Sequence, residues 1–360
     1  MVYDRIVADL LDFIAADQPG EDAFNALALR LFAYQFEHNQ PFAKFARARG
    51  KTPRTVKHWA DIPAVPINAF KTLDLTCCPP EQAAAVFMTS GTTQGGLRGK
   101  SHHATLEVYD ASMRRNFARR FMRGRERMAM GILFPDEAML PNSSLAHYLS
   151  LAVRDFDMPG SGHLIGPDGI DFDRLTAELT RAEETGEPYA LLGASFSLVH
   201  AMDAFQCEGR RFRLPPGSRI LDTGGFKGQS RELELDEFYD ALSETFGVPR
   251  SDCINMYGMT ELSTQFYDDG NAVCPSVKSG PHWIRSRVVN PLTGAAVPKG
   301  ETGVLAHTDL AHCNIVTTIL TEDAGVEVDG GFLLLGRVAG AEAQGCSMAV
   351  DEFLSAAGAA

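Results

Sequence analysis

The chain has 360 residues, of which 45% are hydrophobic and 22% charged, and its formal net charge is −13. That length allows one large domain or two moderate ones, and the composition excludes a disordered chain. No apolar run approaches the roughly 20 residues a membrane helix needs, and an acidic chain gains little from releasing phosphate counterions. Neither a membrane span nor nucleic-acid binding is therefore expected.

In chain order, Asp4, Asp9 and Asp12 interrupt the apolar N-terminal segment, which lacks the layout of a signal peptide, so a cytoplasmic protein is expected. Tyr3, Ile6, Val7, Leu10 and Ile14 recur along one helical face and predict a first helix. Phe24, Leu27, Leu31 and Tyr34 predict a second over 23–36. Pro53, Pro63 and Pro66 then mark a loop. From about residue 84, short apolar runs alternate with helical patterns: AAVFMT before Ser90, MGILF before Pro135, YALLG ending at Gly193, SRILDT before Gly224 and CINMY before Gly258. Such runs predict α/β architecture, in which ligands bind beyond the carboxyl ends of the strands. The basic run over 114–127 reads as a solvated helix face, with a local site for an anionic partner as the alternative. WIRSRVVNP, TGVLAHT and IVTTILT are strand-like, with a turn at Pro291-Leu292-Thr293-Gly294, and the final AAGAA is expected to fray. Four segments follow: 1–83 helical, 84–275 an α/β core, 276–336 a β-rich subdomain, and 337–360 a short C-terminal tail.

The loops after these strands carry the chemistry. Thr89-Ser90-Gly91-Thr92-Thr93 can present hydroxyls and backbone amides to phosphate oxygens, although Ser/Thr/Gly clusters are also ordinary turns. Gly99-Lys100-Ser101 resembles the end of a P-loop, but the leading glycine would have to stand where Gln94 does, so that reading is rejected. Tyr257-Gly258-Met259-Thr260-Glu261 combines a glycine open to close approach, a hydroxyl and a hard oxygen ligand suited to Mg²⁺. Asp323 could take ribose hydroxyls, and Arg337 carries a permanent charge that forks onto oxygen pairs.

Taken in order, TSGTT, the Gly224-Gly225 loop, YGMTE, the Thr321-Glu322-Asp323 turn and Gly336-Arg337 resemble the core motifs of the adenylate-forming superfamily. Asn142-Ser143-Ser144-Leu145, Leu221 to Gly228, Tyr257 to Leu262, Asp309-Leu310-Ala311 and Leu320 to Asp323 resemble, within it, the LuxE-type acyl-protein synthetases. The resemblance implies the large N-terminal domain of that superfamily, with layered sheets, helices and a β-rich subdomain. Its C-terminal lysine domain would be reduced to a short tail, since 23 residues follow Arg337. It further implies ATP and Mg²⁺ as cofactors. Thr89, Ser90, Gly91, Thr92 and Thr93 would hold phosphates. Gly224 and Gly225 would pack against the adenine and Tyr257 would stack on it, Gly258 would let the backbone approach the nucleotide closely, and Thr260 would contact the α-phosphate. Glu261 would bind the magnesium ion, with Asp323 and Arg337 on the ribose. Lys227 is the candidate for the cation the lysine domain normally brings, against the alternative of a surface lysine in a tight turn.

Seven cysteines without a C-x-x-C pair argue against a disulfide framework or a zinc site. Cys346, in Gly345-Cys346-Ser347, resembles the acyl-accepting cysteine of LuxE-type enzymes, which a flexible tail would deliver to the adenylate; otherwise it is a buried structural thiol. His102, His103 and His147 lack the spacing of a metal site. The expected activity is adenylation of a carboxylic acid, a fatty acid by resemblance, then transfer to the Cys346 thiol for a partner such as an acyl reductase. Direct transfer to coenzyme A or a carrier protein's phosphopantetheine is the first alternative, and a non-catalytic regulatory subunit the second.

Overall fold

The computed structural model describes residues 2–90, 97–226 and 230–358. Two compact units emerge, one from residues up to 115 with 259–264 and 279–360, the other from 116–258 with 265–278. They cut across the four segments drawn from the sequence.

The second unit is built on a parallel sheet. Its strands are, along the chain, Ala129–Leu133, Gly162–His163, Tyr189–Ala194, Arg219–Thr223 and Cys253–Tyr257. They lie in the order second, first, third, fourth, fifth, and Phe266–Tyr267 adds an antiparallel edge to the fifth. Ala129–Leu133 and Tyr189–Ala194 are buried at every position, as strands covered on both faces must be. Helices Ser144–Phe156, Phe172–Thr185, Ser195–Cys207 and Leu235–Phe246 supply the connections. Local chemistry sets their ends. Ser143 and Asp171 accept amide hydrogen bonds as N-caps, and Gly186 and Gly247 stop two helices in the left-handed conformation. Leu191, Ile220, Phe205 and Phe246 belong to the core between sheet and helices.

The first unit opens with helices Val2–Ala15 and Glu21–His38, close to expectation, and buries Ile6, Val7, Leu10 and Ile14 of the predicted face. On the second helix the buried stripe runs through Phe24, Ala28, Leu31, Phe32 and Gln35, so Leu27 and Tyr34 sit at its margin. A third helix, Gln40–Ala48, follows where none was expected; Asn39 caps it and Pro41 fits its first turn. Strands Ile284–Val289, Thr302–Asp309, Thr318–Val328 and Gly331–Arg337 form an antiparallel meander, and Val65–Pro66 pairs parallel with the third of them. Trp283 is buried here, its indole N–H donating to Ser112 at 2.8 Å and to Thr264 at 3.1 Å.

Three expectations change. The run before Ser90 does not join the parallel sheet. Ala85–Met88 pairs antiparallel with Lys100–His103 instead. The basic run is a helix ending in a π-helical turn, Ala118–Met122, and its arginines are engaged locally: Arg115 with Asp17, Arg120 with Asp269 and Arg123 with Asp252. The C-terminal segment, expected to be a flexible tail, is an eighteen-residue helix, Gly340–Ala357. Cys346, Ala349, Phe353 and Ala357 recur at helical spacing and are all buried, which is the signal the small-residue composition obscured. Phe353 packs on Phe45 at 4.6 Å, Arg49 forks onto Glu352 at 2.8 and 2.5 Å, and Lys44 donates to the carbonyl of Ala357 at 2.9 Å. No described helix is long and apolar enough to cross a membrane.

Candidate functional site

In the first unit the hairpin and the 259–264 turn come together. Thr89 donates its amide to the carbonyl of Gly99 at 3.0 Å, and its hydroxyl accepts the Gly99 amide at 2.9 Å, so the two residues close the mouth of the hairpin. A Cβ placed on Gly99 would lie 3.1 Å from Glu261 Oε1 and 3.2 Å from the Thr89 methyl. Glu261 is 5% exposed. Burial raises its carboxyl to about 7, while Arg337 and Lys71 draw it down and Asp323 pushes it up. Asp323 and Arg337 are register partners on adjacent strands, 3.4 Å apart through Oδ1 and Nε, and Arg337 also reaches Glu322 at 3.3 Å. Asn68 donates to the other oxygen of Glu322. Thr260 is half-buried in the same turn as Glu261, and Ser90 is exposed. Just behind, Asp309 accepts the amides of Ser263 and Thr264 at 2.8 Å each, which holds the turn's shape.

In the second unit Gly224 and Gly258 follow the carboxyl ends of adjacent parallel strands, the second of which ends on Tyr257, and Met256 stands opposite Thr223. Gly224 has a φ of +78°, which a side-chain-bearing residue rarely adopts, and among the described residues nothing approaches a Cβ built on Gly224 or Gly225 within 4 Å. Tyr257 is largely buried, its ring 5.8 Å from Phe266. Asp222, one residue before the Thr223-Gly224 junction, accepts hydrogen bonds from Ser195, Tyr239 and Asn255 at 3.0, 3.0 and 2.8 Å and so fixes the strand end. The chain passes from this unit to the other between Gly258 and Met259.

The model of the family "Acyl-protein synthetase, LuxE" matches residues 3–355. The chain belongs to that family. Curated relatives are the long-chain-fatty-acid–luciferin-component ligases of Vibrio harveyi, 23% identical with 90% of this chain and 86% of the relative covered, and of Aliivibrio fischeri, 23% identical over 89% and 85%. Among solved structures, 2-hydroxyisobutyryl-CoA ligase in complex with 2-HIB-AMP superposes with a TM-score of 0.64 at 15% identity, covering 88% of this chain and 68% of that one. ATP-bound MatB from Rhodopseudomonas palustris gives a TM-score of 0.51 at 17% identity over 72% of this chain and 49% of that one. The fold is thus that of adenylate-forming enzymes, and the LuxE-family chain is a ligase by descent.

Within this family member, Gly91, Thr92, Thr93 and Lys227 lie outside the described residues. Cys346 is 3% exposed, and its thiol points at the carbonyl of Thr321 at 3.8 Å, two residues before Asp323. Burial, then Glu322, Glu342 and Asp323, push this thiol up to about 11. The histidines have structural company: His102 contacts Asp74 at 3.0 Å, His147 contacts Glu137 at 2.5 Å, and the His103 ring packs on Phe87 and Tyr109. Sequence reasoning passed over Asn68 and Lys71, because Pro63 and Pro66 made that stretch read as loop; it is the helical turn Ile67–Lys71. It also set Gly99 aside along with the rejected P-loop.

Among the described residues, no group of three or more histidine, cysteine, aspartate or glutamate side chains is arranged for a metal ion. Magnesium does not need one, since one or two carboxylates plus substrate phosphates are its ordinary partners. Glu261 would supply such a carboxylate, with Gly99 packed so closely against it that a Cβ there would stand 3.1 Å from its Oε1. The residues fit the ion on those terms.

Proposed function

We propose that the chain activates a carboxylic acid, a long-chain fatty acid by analogy with the curated relatives' names, at the expense of ATP and then passes the acyl group to a thiol. One acid oxygen forms a bond to the α-phosphorus, the bond from that phosphorus to the bridging oxygen breaks, and pyrophosphate departs with the electron pair. The acyl-adenylate then loses AMP to an attacking thiolate, whose proton goes to solvent. Catalysis in the first step is positioning and charge neutralisation. Thr89 to Thr93 and Thr260 bind phosphate oxygens. Gly224, Gly225, Tyr257 and Gly258 receive the adenine, and Asp323 takes the ribose hydroxyls, held for that task by Arg337. Glu261 holds magnesium, which when bound neutralises phosphate charge. Lys227 remains a candidate phosphate cation, and the cytoplasm the expected compartment. The observation that carries the reading is the meeting, in one unit, of Thr89, Glu261, Asp323 and Arg337, which are far apart in sequence.

The acyl acceptor is Cys346, with a partner such as an acyl reductase taking the group onward. Direct transfer to coenzyme A or a carrier phosphopantetheine is the second reading, favoured by the burial and raised pKa of that thiol. The two part at a single variant. Cys346→Ala should keep acid-dependent ATP–pyrophosphate exchange and lose hydroxylamine-labile protein acylation. Undiminished acyl transfer to an added thiol acceptor in Cys346→Ala would establish the second reading. A screen of fatty, aryl and short acids by pyrophosphate exchange tests the adenylation itself.

A further inference from the structure

His312 lies just outside the motifs the sequence displays, yet its ring is where three elements around the site meet. Its Nδ1 is 2.9 Å from the hydroxyl oxygen of Ser263, in the turn that carries Thr260 and Glu261. Its ring centroid is 5.6 Å from that of His103, on the hairpin strand that continues from Gly99, and 6.3 Å from that of Phe70, in the turn Ile67–Lys71. Phe70 itself stands 3.5 Å from the position of a Gly99 Cβ, which on its other side would meet Glu261 at 3.1 Å. His312 and Ser263 are both buried. The Nε2 of His312 has no hydrogen-bond partner among the described residues, so the bond to Ser263 is the polar contact that fixes the ring. The 259–264 turn is also closed by the Leu262 amide on the Met259 carbonyl at 3.1 Å and gripped by Asp309 through the amides of Ser263 and Thr264. A buried polar pair is seldom more stabilising than apolar groups of the same shape, but it does fix a direction and a distance.

We infer that His312 is a positioning residue for adenylation, which through Ser263 sets where Thr260 and Glu261 stand against the mouth of the hairpin. The inference rests on the adenylation reading above, in which Glu261 holds magnesium. His312 transfers no proton in this role. Its ring packs on the hairpin through His103 and bonds the turn through Ser263, so the hairpin and the turn keep one separation. Without that bond the Ser263 side chain loses its anchor on His312, and the backbone at Glu261, two residues earlier, gains freedom. Displacement of about 1 Å near a reacting centre costs on the order of a hundredfold, and a turn still gripped by Asp309 should move less than that.

The test uses the full chain with Ser263→Ala, His312→Leu, His312→Asn and the double variant Ser263→Ala/His312→Leu. Asn carries an amide atom near the place of Nδ1 and can keep the bond to Ser263, whereas Leu fills the space without it. In acid-dependent pyrophosphate exchange, Ser263→Ala and His312→Leu should each lose about tenfold in kcat, and His312→Asn should recover most of that loss. Because both single changes remove one bond, the double variant should be no more than about threefold slower than the slower single. Calorimetric titration with ATP supplies a readout apart from turnover. ATP should bind Ser263→Ala about tenfold more weakly with magnesium present and equally well with magnesium chelated, since the displaced group is Glu261. If His312→Leu does not fold, Ser263→Ala and its two titrations decide. Exchange by Ser263→Ala within about threefold of the unmodified chain, losses that multiply in the double variant, or equal weakening of ATP with and without magnesium overturns the inference. Absence of exchange in the unmodified chain with every acid would instead overturn the adenylation reading itself, so the two failures are distinguishable.

Discussion

At Gly99 the reason for glycine is space rather than backbone conformation, since its φ does not lie in the left-handed region. A methyl there would stand 3.1 Å from Glu261 Oε1 and 3.2 Å from the Thr89 methyl, so both side chains would have to give by a few tenths of an ångström. Gly99→Ala removes unfolded-state freedom and should leave the thermal midpoint unchanged or slightly higher. The same substitution shifts a carboxylate assigned to magnesium, and displacements of about 1 Å near a reacting centre cost on the order of a hundredfold. Pyrophosphate exchange by Gly99→Ala should therefore fall by about tenfold without loss of fold. Unchanged exchange would detach Glu261 from the chemistry. Cys346 presents the opposite case, a residue whose candidate role conflicts with its surroundings. Its thiol is buried beneath the helix and ionises only toward pH 11, so as observed it is a poor nucleophile at neutral pH.

That conflict belongs to the element that carries the thiol. Helix Gly340–Ala357 is docked by the stacking of Phe353 on Phe45, by the Lys44–Ala357 contact and by the Arg49–Glu352 fork. Arg49 holds the Glu352 carboxyl below its ordinary range. The carboxylate is half-exposed, so the pair contributes at most about 1 kcal/mol, and its stabilisation is lost as pH falls through the lowered pKa. Local opening of the helix should control access to the thiol. Iodoacetamide should label Cys346 slowly at pH 8, read by peptide mapping against the other six cysteines. Because the thiol reacts in the opened helix, the rate should rise with pH and level off above the ordinary thiol pKa of about 8.5. Arg49→Ala should accelerate labelling by up to about fivefold at constant pH, the equivalent of about 1 kcal/mol of lost docking. Equal labelling rates in the two proteins would mean that the helix does not open at this end.

For the whole molecule, the adenylation reading makes the folded chain a nucleotide receptor. A ligand that binds only the folded state stabilises it by about 2.7 kcal/mol at a hundred times its dissociation constant. ATP at that excess should raise the thermal midpoint by several degrees, and an equal concentration of inorganic sulfate should not. No shift at millimolar ATP would remove the nucleotide from the account of the site.

Much of this organisation is written locally. Apolar runs ending at Gly193, Thr223 and Tyr257 are strands because continuous burial demands continuous apolar sequence, and the ordered motifs around them mark the adenylate-forming fold and the LuxE family without any coordinate. Short-range chemistry suffices there, since a strand, a cap or a glycine turn is decided by a few neighbouring residues. Other features depend on residues hundreds of positions apart. Nothing near Lys71 in the sequence announces Glu261, nothing near Gly99 announces the same carboxylate, and the small residues around Cys346 read as a loose tail until Phe45 and Arg49 are seen to hold them. Burial, and with it the raised pKa of Cys346 and of Glu261, exists only when distant segments exclude water together. Sequence alone determined the kind of enzyme; the tertiary structure decided which groups share an electric field and which thiol is buried.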